Sequence, residues 1–209
     1  MRITLKDGSV KEYEGSRSVL DIAKDISEGL ARAATSAKVN GDIVDLRKEI
    51  SEDCELELLT FDSEDGKGAF WHTTSHIMAQ AVKRLYPETK LAIGPSIDNG
   101  FYYDLDRETP FVAEDLEKIE AEMKKIVKEN LAIERFTKSR EDAIAYFKEN
   151  GEPYKVELVE DLPVGEEISF YRQGEFVDLC AGPHLMSTKN VKAVKLTSLA
   201  GAYWRKKKK

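Results

Sequence analysis

The first part of the chain alternates between apolar and polar residues in short bursts, which is the period of half-buried strands. Arg2-Ile3-Thr4-Leu5 and Val10-Lys11-Glu12-Tyr13 flank Asp7-Gly8, the turn signal of a hairpin. Ser18 is placed to cap a helix through Val19, Leu20, Ile22, Ala23 and Ile26 that stops near Gly29. Val39-Asn40-Gly41-Asp42-Ile43-Val44 marks a second hairpin, and Cys54-Glu55-Leu56-Glu57-Leu58 reads as a closing strand with Cys54 toward the core. Hairpin, helix, hairpin and return strand predict a small β-grasp unit over residues 1–61. The polar, glycine-containing stretch Phe61–Lys67 predicts a linker, set at residues 62–68.

The pattern then changes. A helix is expected from Ala69 to Leu85, followed by Leu91-Ala92-Ile93, a Gly94-Pro95 turn and a strand over Gly100–Leu105. Val112–Glu129 carries Leu116, Ile119, Met123, Ile126 and Val127 at helical spacing, and Glu141–Glu149 reads as a shorter helix. Beyond Pro163, strand-like segments are expected at Ile168–Tyr171, Gly174–Leu179, Val191–Leu199 and Ala202–Trp204. The predicted fold class is α+β: a small β-grasp domain followed by a larger α+β domain over residues 69–205 with a mostly antiparallel sheet.

Composition narrows the function. The formal net charge is -7 from 32 basic and 39 acidic residues, and the run Lys206–Lys209 masks a still more acidic body. A protein that grips nucleic acid by phosphate neutralisation alone is more basic than this, so any such role needs a local patch or help from other domains. No apolar stretch approaches a membrane span and no signal-peptide layout opens the chain. With only Cys54 and Cys180, no disulfide framework is expected and the predicted location is the cytoplasm.

The candidate chemistry is concentrated. All 3 histidines join one of the 2 cysteines in a two-part pattern: His72-x-x-x-His76 and Cys180-x-x-x-His184. His72 and His76 are one helical turn apart, with Phe70, Ile77, Ala81 and Leu85 on roughly the opposite side, so the pair should face solvent or a cleft. Strand alternation places Asp178 and Cys180 on one face, and Gly182-Pro183 brings His184 in by a turn rather than a helix. Cys and His are the preferred ligands of zinc. Imidazole, titrating near neutrality, also serves as a metal-free base. Spacing alone leaves the two readings level, with a purely structural cluster as the third.

Trp71-His72-Thr73-Thr74-Ser75-His76-Ile77-Met78, Ile93-Gly94-Pro95 and Asn99-Gly100-Phe101-Tyr102-Tyr103-Asp104 resemble bacterial threonyl-tRNA synthetases. So do Tyr154-Lys155, Asp178-Leu179-Cys180-Ala181-Gly182-Pro183-His184 and Gly201-Ala202-Tyr203-Trp204-Arg205. The resemblance covers residues 1–205 and implies a ubiquitin-like TGS domain followed by a tRNA editing domain. Related editing domains of alanyl-tRNA synthetases carry the same His/Cys signature as zinc ligands, whereas the threonyl branch is held to work without metal. The resemblance therefore implies no cofactor, with His72, His76, Cys180 and His184 as zinc ligands in the alternative. It implies hydrolysis of seryl-tRNA(Thr), with water held or activated by His72 and His184 and the pocket completed by His76 and Cys180. Lys155, Asp178 and Tyr103 would read the substrate, and Gly94-Pro95 would lie near the terminal adenosine. The expected partner is the acceptor end of tRNA(Thr). The family's catalytic and anticodon-binding domains have no counterpart here, so neither ATP binding nor amino-acid activation is expected, and the lysine run reads as an added solubility tail. A non-catalytic tRNA-binding module is the remaining alternative.

Overall fold

The computed structural model describes residues 1–201. In the first unit β1 (Arg2–Leu5) and β2 (Val10–Glu12) form the expected hairpin. Gly8, at φ 86, takes the left-handed conformation that the turn requires. β3 (Arg17–Ser18) leads into α1 (Val19–Ile26), whose N-cap Ser18 accepts the Asp21 N–H at 3.1 Å. The helix ends before Gly29. Ser27 takes up extended backbone and caps a second short helix, α2 (Glu28–Ala33), which the reading of one continuous helix missed. β4 (Ala34–Val39), β5 (Asp42–Val44), β6 (Glu49–Ile50) and β7 (Cys54–Thr60) complete the unit. The main sheet has the order β2-β1-β7-β4-β5, with β1 and β7 parallel and the other pairs antiparallel. Val19 and Ile22 of α1 pack on Ile3, Ala37, Leu46 and Leu56, and Cys54 lies partly buried at the margin of that core.

The expected linker is a packed turn. Glu64–Gly66 forms a single 3-10 turn, and the Thr35 hydroxyl donates to the Gly66 carbonyl at 2.6 Å. A Cβ on Gly66 would lie 1.9 Å from the Thr60 carbonyl oxygen, so only glycine fits there. The next helix, α3 (Lys67–Leu85), begins at once, ahead of the expected Ala69.

α3 is the axis of the second unit. Ile77, Ala81 and Val82 pack against Ile119, Met123 and Ile126 of α4 (Ala113–Glu129). Between these helices the chain makes β8 (Lys90–Leu91), β9 (Ser96–Ile97), β10 (Gly100–Phe101) and β11 (Leu105–Asp106). The single strand expected over Gly100–Leu105 is thus two pieces, β10 on β9 and β11 on β8. Pro95, which has no N–H to donate, lies between the two partner strands. β12 (Ile133–Thr137), α5 (Arg140–Glu149), α6 (Pro153–Asp161), β13 (Ser169–Gln173) and β14 (Phe176–Leu179) follow. Helix α6 was not anticipated, although Pro153 in its first turn is a helix-start residue.

The strands β12-β13-β14 form one antiparallel sheet. Its Phe170, Val177 and Leu179 pack on Ala143, Phe147 and Val159 of α5 and α6. The register pairs Tyr171 with Asp178 and Gln173 with Phe176, which places these four on the opposite face, toward α3. There Gln173 donates to the Gln80 side chain at 2.8 Å. Val191–Leu199 does not form the expected strand: Val191, Val194 and Leu196 pack on the α3–α4 core without a partner strand. The Ala202–Trp204 expectation and the lysine run lie outside the described residues. Among the described residues no helix is long and apolar enough to cross a membrane.

Because Met123 is 0% exposed at the α3–α4 contact while Val164 is 99% exposed, their truncations should separate cleanly. Met123→Ala should cost about 2–5 kcal/mol in urea unfolding, and Val164→Ala should stay within about 0.5 kcal/mol of the parent.

Candidate active site

The face of α3 bearing His72 and His76 is covered rather than solvated. The β13–β14 face and the loop after β14 lie over it, so His76 is 4% exposed and His72 half-buried. The opposite side is less uniform than expected, with Leu85 exposed and Phe70 half-buried. His72 Nδ1 lies 3.2 Å from the Pro183 carbonyl oxygen. A carbonyl only accepts, so in the neutral ring Nδ1 carries the proton and Nε2 is the free base. That Nε2 accepts the Ser96 hydroxyl at 3.2 Å. Burial lowers the His72 pKa and holds the ring neutral. Burial also brings His76 down to about 4, against an opposing pull from Asp178. The Nδ1 of His76 is buried with no hydrogen-bond partner among protein atoms.

Cys180 sits one residue beyond β14 and extends its ladder, donating its N–H to the Ser169 carbonyl at 3.1 Å. Its Sγ accepts the Gly182 N–H at 3.3 Å and faces His184 Nε2 at 3.2 Å. Burial pushes the thiol up to about 12, so it stays protonated at neutral pH and is a poor nucleophile. Gly182, at φ 77, permits the turn, and a Cβ there would lie 2.1 Å from the Tyr171 hydroxyl. His184 is fully buried, with its ring 4.1 Å from Tyr171, 4.4 Å from His76 and 5.8 Å from His72. Its Nδ1 pairs with the Thr73 hydroxyl at 3.0 Å, and Thr73 also accepts the Leu185 N–H at 3.0 Å. Burial first, then the neighbouring His76, His72 and Arg47, holds its pKa well below the usual imidazole range.

Beside these rings lies a buried ion pair. Lys155 on α6 and Asp178 on β14 are 3% and 1% exposed, with Nζ and Oδ1 2.9 Å apart. The ammonium also donates to the Tyr103 hydroxyl at 2.9 Å, which donates to the other Asp178 oxygen at 2.5 Å. Burial alone would raise the Asp178 pKa, but Lys155, His76 and the Tyr103 hydrogen bond outweigh it and keep the carboxylate ionised. Burial and then the Asp178 charge raise the Tyr103 phenol far above its normal range. Gly94 lets Tyr103 approach: a Cβ there would meet the ring at 2.2 Å. Tyr102, by contrast, is 45% exposed.

A cavity of about 350 Å³ is lined by His72, His76 and Cys180, by Lys155, Asp178 and Tyr103, and by Gly94 and Pro95. His184 does not line it, which removes the ground for expecting that ring to hold a water directly; its contacts reach the cavity through Cys180 and His76. Another cavity of about 350 Å³ lies across the same ion pair, with its charges already matched as Lys83–Glu152 at 2.8 Å and Arg84–Glu175 at 2.5 Å. His76, Cys180 and His184 each offer one donor atom, all within 4.8 Å of one another. His72 stands outside this group, its nitrogens turned to Pro183 and Ser96.

Sequence reasoning missed Thr73, Ser96, Tyr171, Asp45 and Arg47. Thr73 did leave a signal, since Thr-Thr-Ser in mid-helix runs against helix propensity. All three hydroxyls have partners: Thr74 bonds the Phe70 carbonyl at 2.7 Å and Ser75 the Gly94 carbonyl at 3.1 Å, while Thr73 takes His184.

The titrating groups fix the sign of the pH dependence. His76 is depressed to about 4 and His184 also lies below its unfolded value of 6.5, so the unfolded chain takes up protons first as pH falls. Both contributions are complete above 6.5; that of His76 is lost between 6.5 and about 4, and that of His184 is lost as pH falls below 6.5. Cys180, raised from 9.0 to about 12, gives the reverse: stability falls as pH rises above 9.0. Thermal melts should show a plateau between these limits, with His76→Gln flattening the acid limb and Cys180→Ala the alkaline one. Unchanged limbs in both variants would contradict this assignment.

The family profile described as "TGS domain" matches residues 1–60, and "Threonyl and Alanyl tRNA synthetase second additional domain" matches residues 168–209. A threonine–tRNA ligase of Acetivibrio thermocellus is 63% identical over 205 residues, covering 98% of this chain and 32% of the relative. The enzyme of Caldanaerobacter subterraneus subsp. tengcongensis matches at 63% and that of Clostridium tetani at 64%, with the same coverage. The chain thus spans about a third of the length of these relatives. Along nearly its whole length the chain matches threonine–tRNA ligases and corresponds to their N-terminal region, a TGS domain followed by an editing-type second additional domain.

Proposed function

We propose that this chain is a cytoplasmic deacylase that hydrolyses the ester joining serine to the 3′ adenosine of tRNA(Thr), without metal or ATP. The observation that carries this reading is one cavity holding a neutral imidazole base, His72 Nε2, together with a buried ammonium, Lys155. The need for such a step is physical. Serine lacks only a methyl of threonine, and one methylene discriminates by about 1–3 kcal/mol, too little for faithful charging. A second pocket that admits the smaller side chain supplies the rest.

In this mechanism His72 Nε2 takes a proton from water as the water oxygen bonds the ester carbonyl carbon. Lys155 stabilises the resulting oxyanion. Collapse breaks the bond between that carbon and the 3′ oxygen, and the proton passes from His72 to the departing oxygen. The products are free serine and uncharged tRNA, so atoms and charge balance. Asp178 receives the substrate amine, and Tyr103 with Gly94-Pro95 lies against the serine and the terminal adenosine. His76 and Cys180 fill the remainder of the pocket, and His184 orients Cys180.

One observation favours a zinc-dependent variant: the three close donors of His76, Cys180 and His184. Three protein ligands with an open fourth position is a catalytic zinc arrangement. When bound, such an ion would supply a Lewis acid that lowers the pKa of its water.

Single-turnover deacylation separates these readings. The chain should clear serine from tRNA(Thr) and leave threonine in place, with undetectable metal and full activity in chelator. His72→Ala should slow hydrolysis by about 10²–10⁴-fold at unchanged tRNA affinity. One zinc per chain with activity lost on chelation would carry the zinc reading instead. Absent hydrolysis, or equal loss of both amino acids, would overturn editing and leave a tRNA-binding module.

A further inference from the structure

The loop that carries Cys180 and His184 belongs to no regular element, yet both main-chain groups of His184 are bonded to the N-terminal unit. After β5 the chain runs through Asp45-Leu46-Arg47. Leu46 is 1% exposed and lies in the core of its own unit, which leaves Asp45 and Arg47 to reach outward on either side. One Asp45 oxygen accepts the His184 N–H at 3.1 Å and the Tyr171 hydroxyl at 2.7 Å. The other binds Arg47 Nη1 at 2.8 Å. The Arg47 guanidinium donates to the carbonyls of His184 at 3.1 Å, Leu185 at 2.8 Å and Ile133 at 2.5 Å. The two side chains are only 11% and 16% exposed, so the fork of donors and the carboxylate are held rigidly.

This clamp acts on the loop from two sides. It holds the His184 backbone directly, and through the Tyr171 hydroxyl it holds the ring that packs, tilted, against His184 and lies over Gly182. A lysine in place of Arg47 could reach one carbonyl but could not reproduce the planar fork. We infer that Asp45 and Arg47 are positioning residues for the hydrolytic site: the TGS unit sets the Cys180–His184 loop against His72 and His76, and hydrolysis requires it although it contributes no atom to the cavity. The activity part of this inference rests on the deacylase reading; the loop-setting part does not.

The test uses the whole chain in a Cys54→Ser background, so that Cys180 is the only thiol. Asp45→Ala, Asp45→Asn, Arg47→Ala and Arg47→Lys are compared, with Lys6→Ala as a control at an exposed ion pair of the same unit. Two quantities are read: the single-turnover rate on saturating serine-charged tRNA(Thr), and the rate at which a small aromatic disulfide labels Cys180. The alanine variants should lose about 10–100-fold in rate, as removal of supporting contacts around a site does. Their tRNA affinity should stay unchanged and their labelling should quicken at least several-fold. Arg47→Lys should fall between, and Lys6→Ala should match the parent. If an alanine variant fails to fold, the Asn and Lys variants decide the matter by the same two readings. Parental hydrolysis and parental thiol protection in the folded variants would overturn the inference. A parent that does not hydrolyse the substrate would defeat the deacylase reading alone, because the labelling comparison still decides whether the clamp sets the loop.

Discussion

The buried pair of Lys155 and Asp178 is the constraint around which the second unit is arranged. Taking two such charges out of water costs several kcal/mol per ion, and their attraction offsets this only with good geometry and further hydrogen bonds. Here Asp178 Oδ1 and the ammonium meet at 2.9 Å, and Tyr103 bridges the pair by donating to Oδ2. Satisfying it fixes three pieces of chain that are distant in sequence: α6, the end of β14, and the segment between β10 and β11. Gly94 must be bare of a side chain for Tyr103 to complete the bridge. The same demand that makes the pair costly therefore shapes the cavity and leaves a cation at its wall.

Burial does the opposite work on the histidines. A buried imidazole is cheaper neutral than charged, so the rings near Lys155 are held as bases instead of adding to its positive charge. Neutrality alone does not say which nitrogen is free. The Pro183 carbonyl settles that for His72, and the loop that presents Pro183 is the one fixed by Thr73 from α3 and by Asp45 and Arg47 from the first unit. Fold, tautomer and chemistry are linked through that short stretch of irregular backbone.

Much of this was legible in the residues. The β-grasp alternation, the Ser18 cap and the α4 stripe all correspond to elements present, and eight of the proposed site positions line one cavity. What failed did so for physical reasons. Gly29 read as a helix stop, but Ser27 ended one helix and capped the next. Val191–Leu199 has the alternation of a strand, but strands need partners and its apolar residues found a helical core instead. The helix that delivers Lys155 went unread between the Glu141–Glu149 helix and Pro163, although Pro153 in its first turn is a helix-start residue. Asp45 and Arg47 were illegible because their partners in the second unit lie 86 to 139 residues away and include main-chain carbonyls, which carry no sequence signature.

The central claim is that the cavity presents a neutral His72 whose free nitrogen is Nε2. Nitrogen-15 NMR of the ring nitrogens across pH measures this directly. The account predicts a protonated Nδ1 and bare Nε2 at His72, with none of the three histidines reaching half-protonation at or above 6.5, the ordinary imidazole value. A His72 carrying its proton on Nε2, or titrating at or above that value, would contradict it.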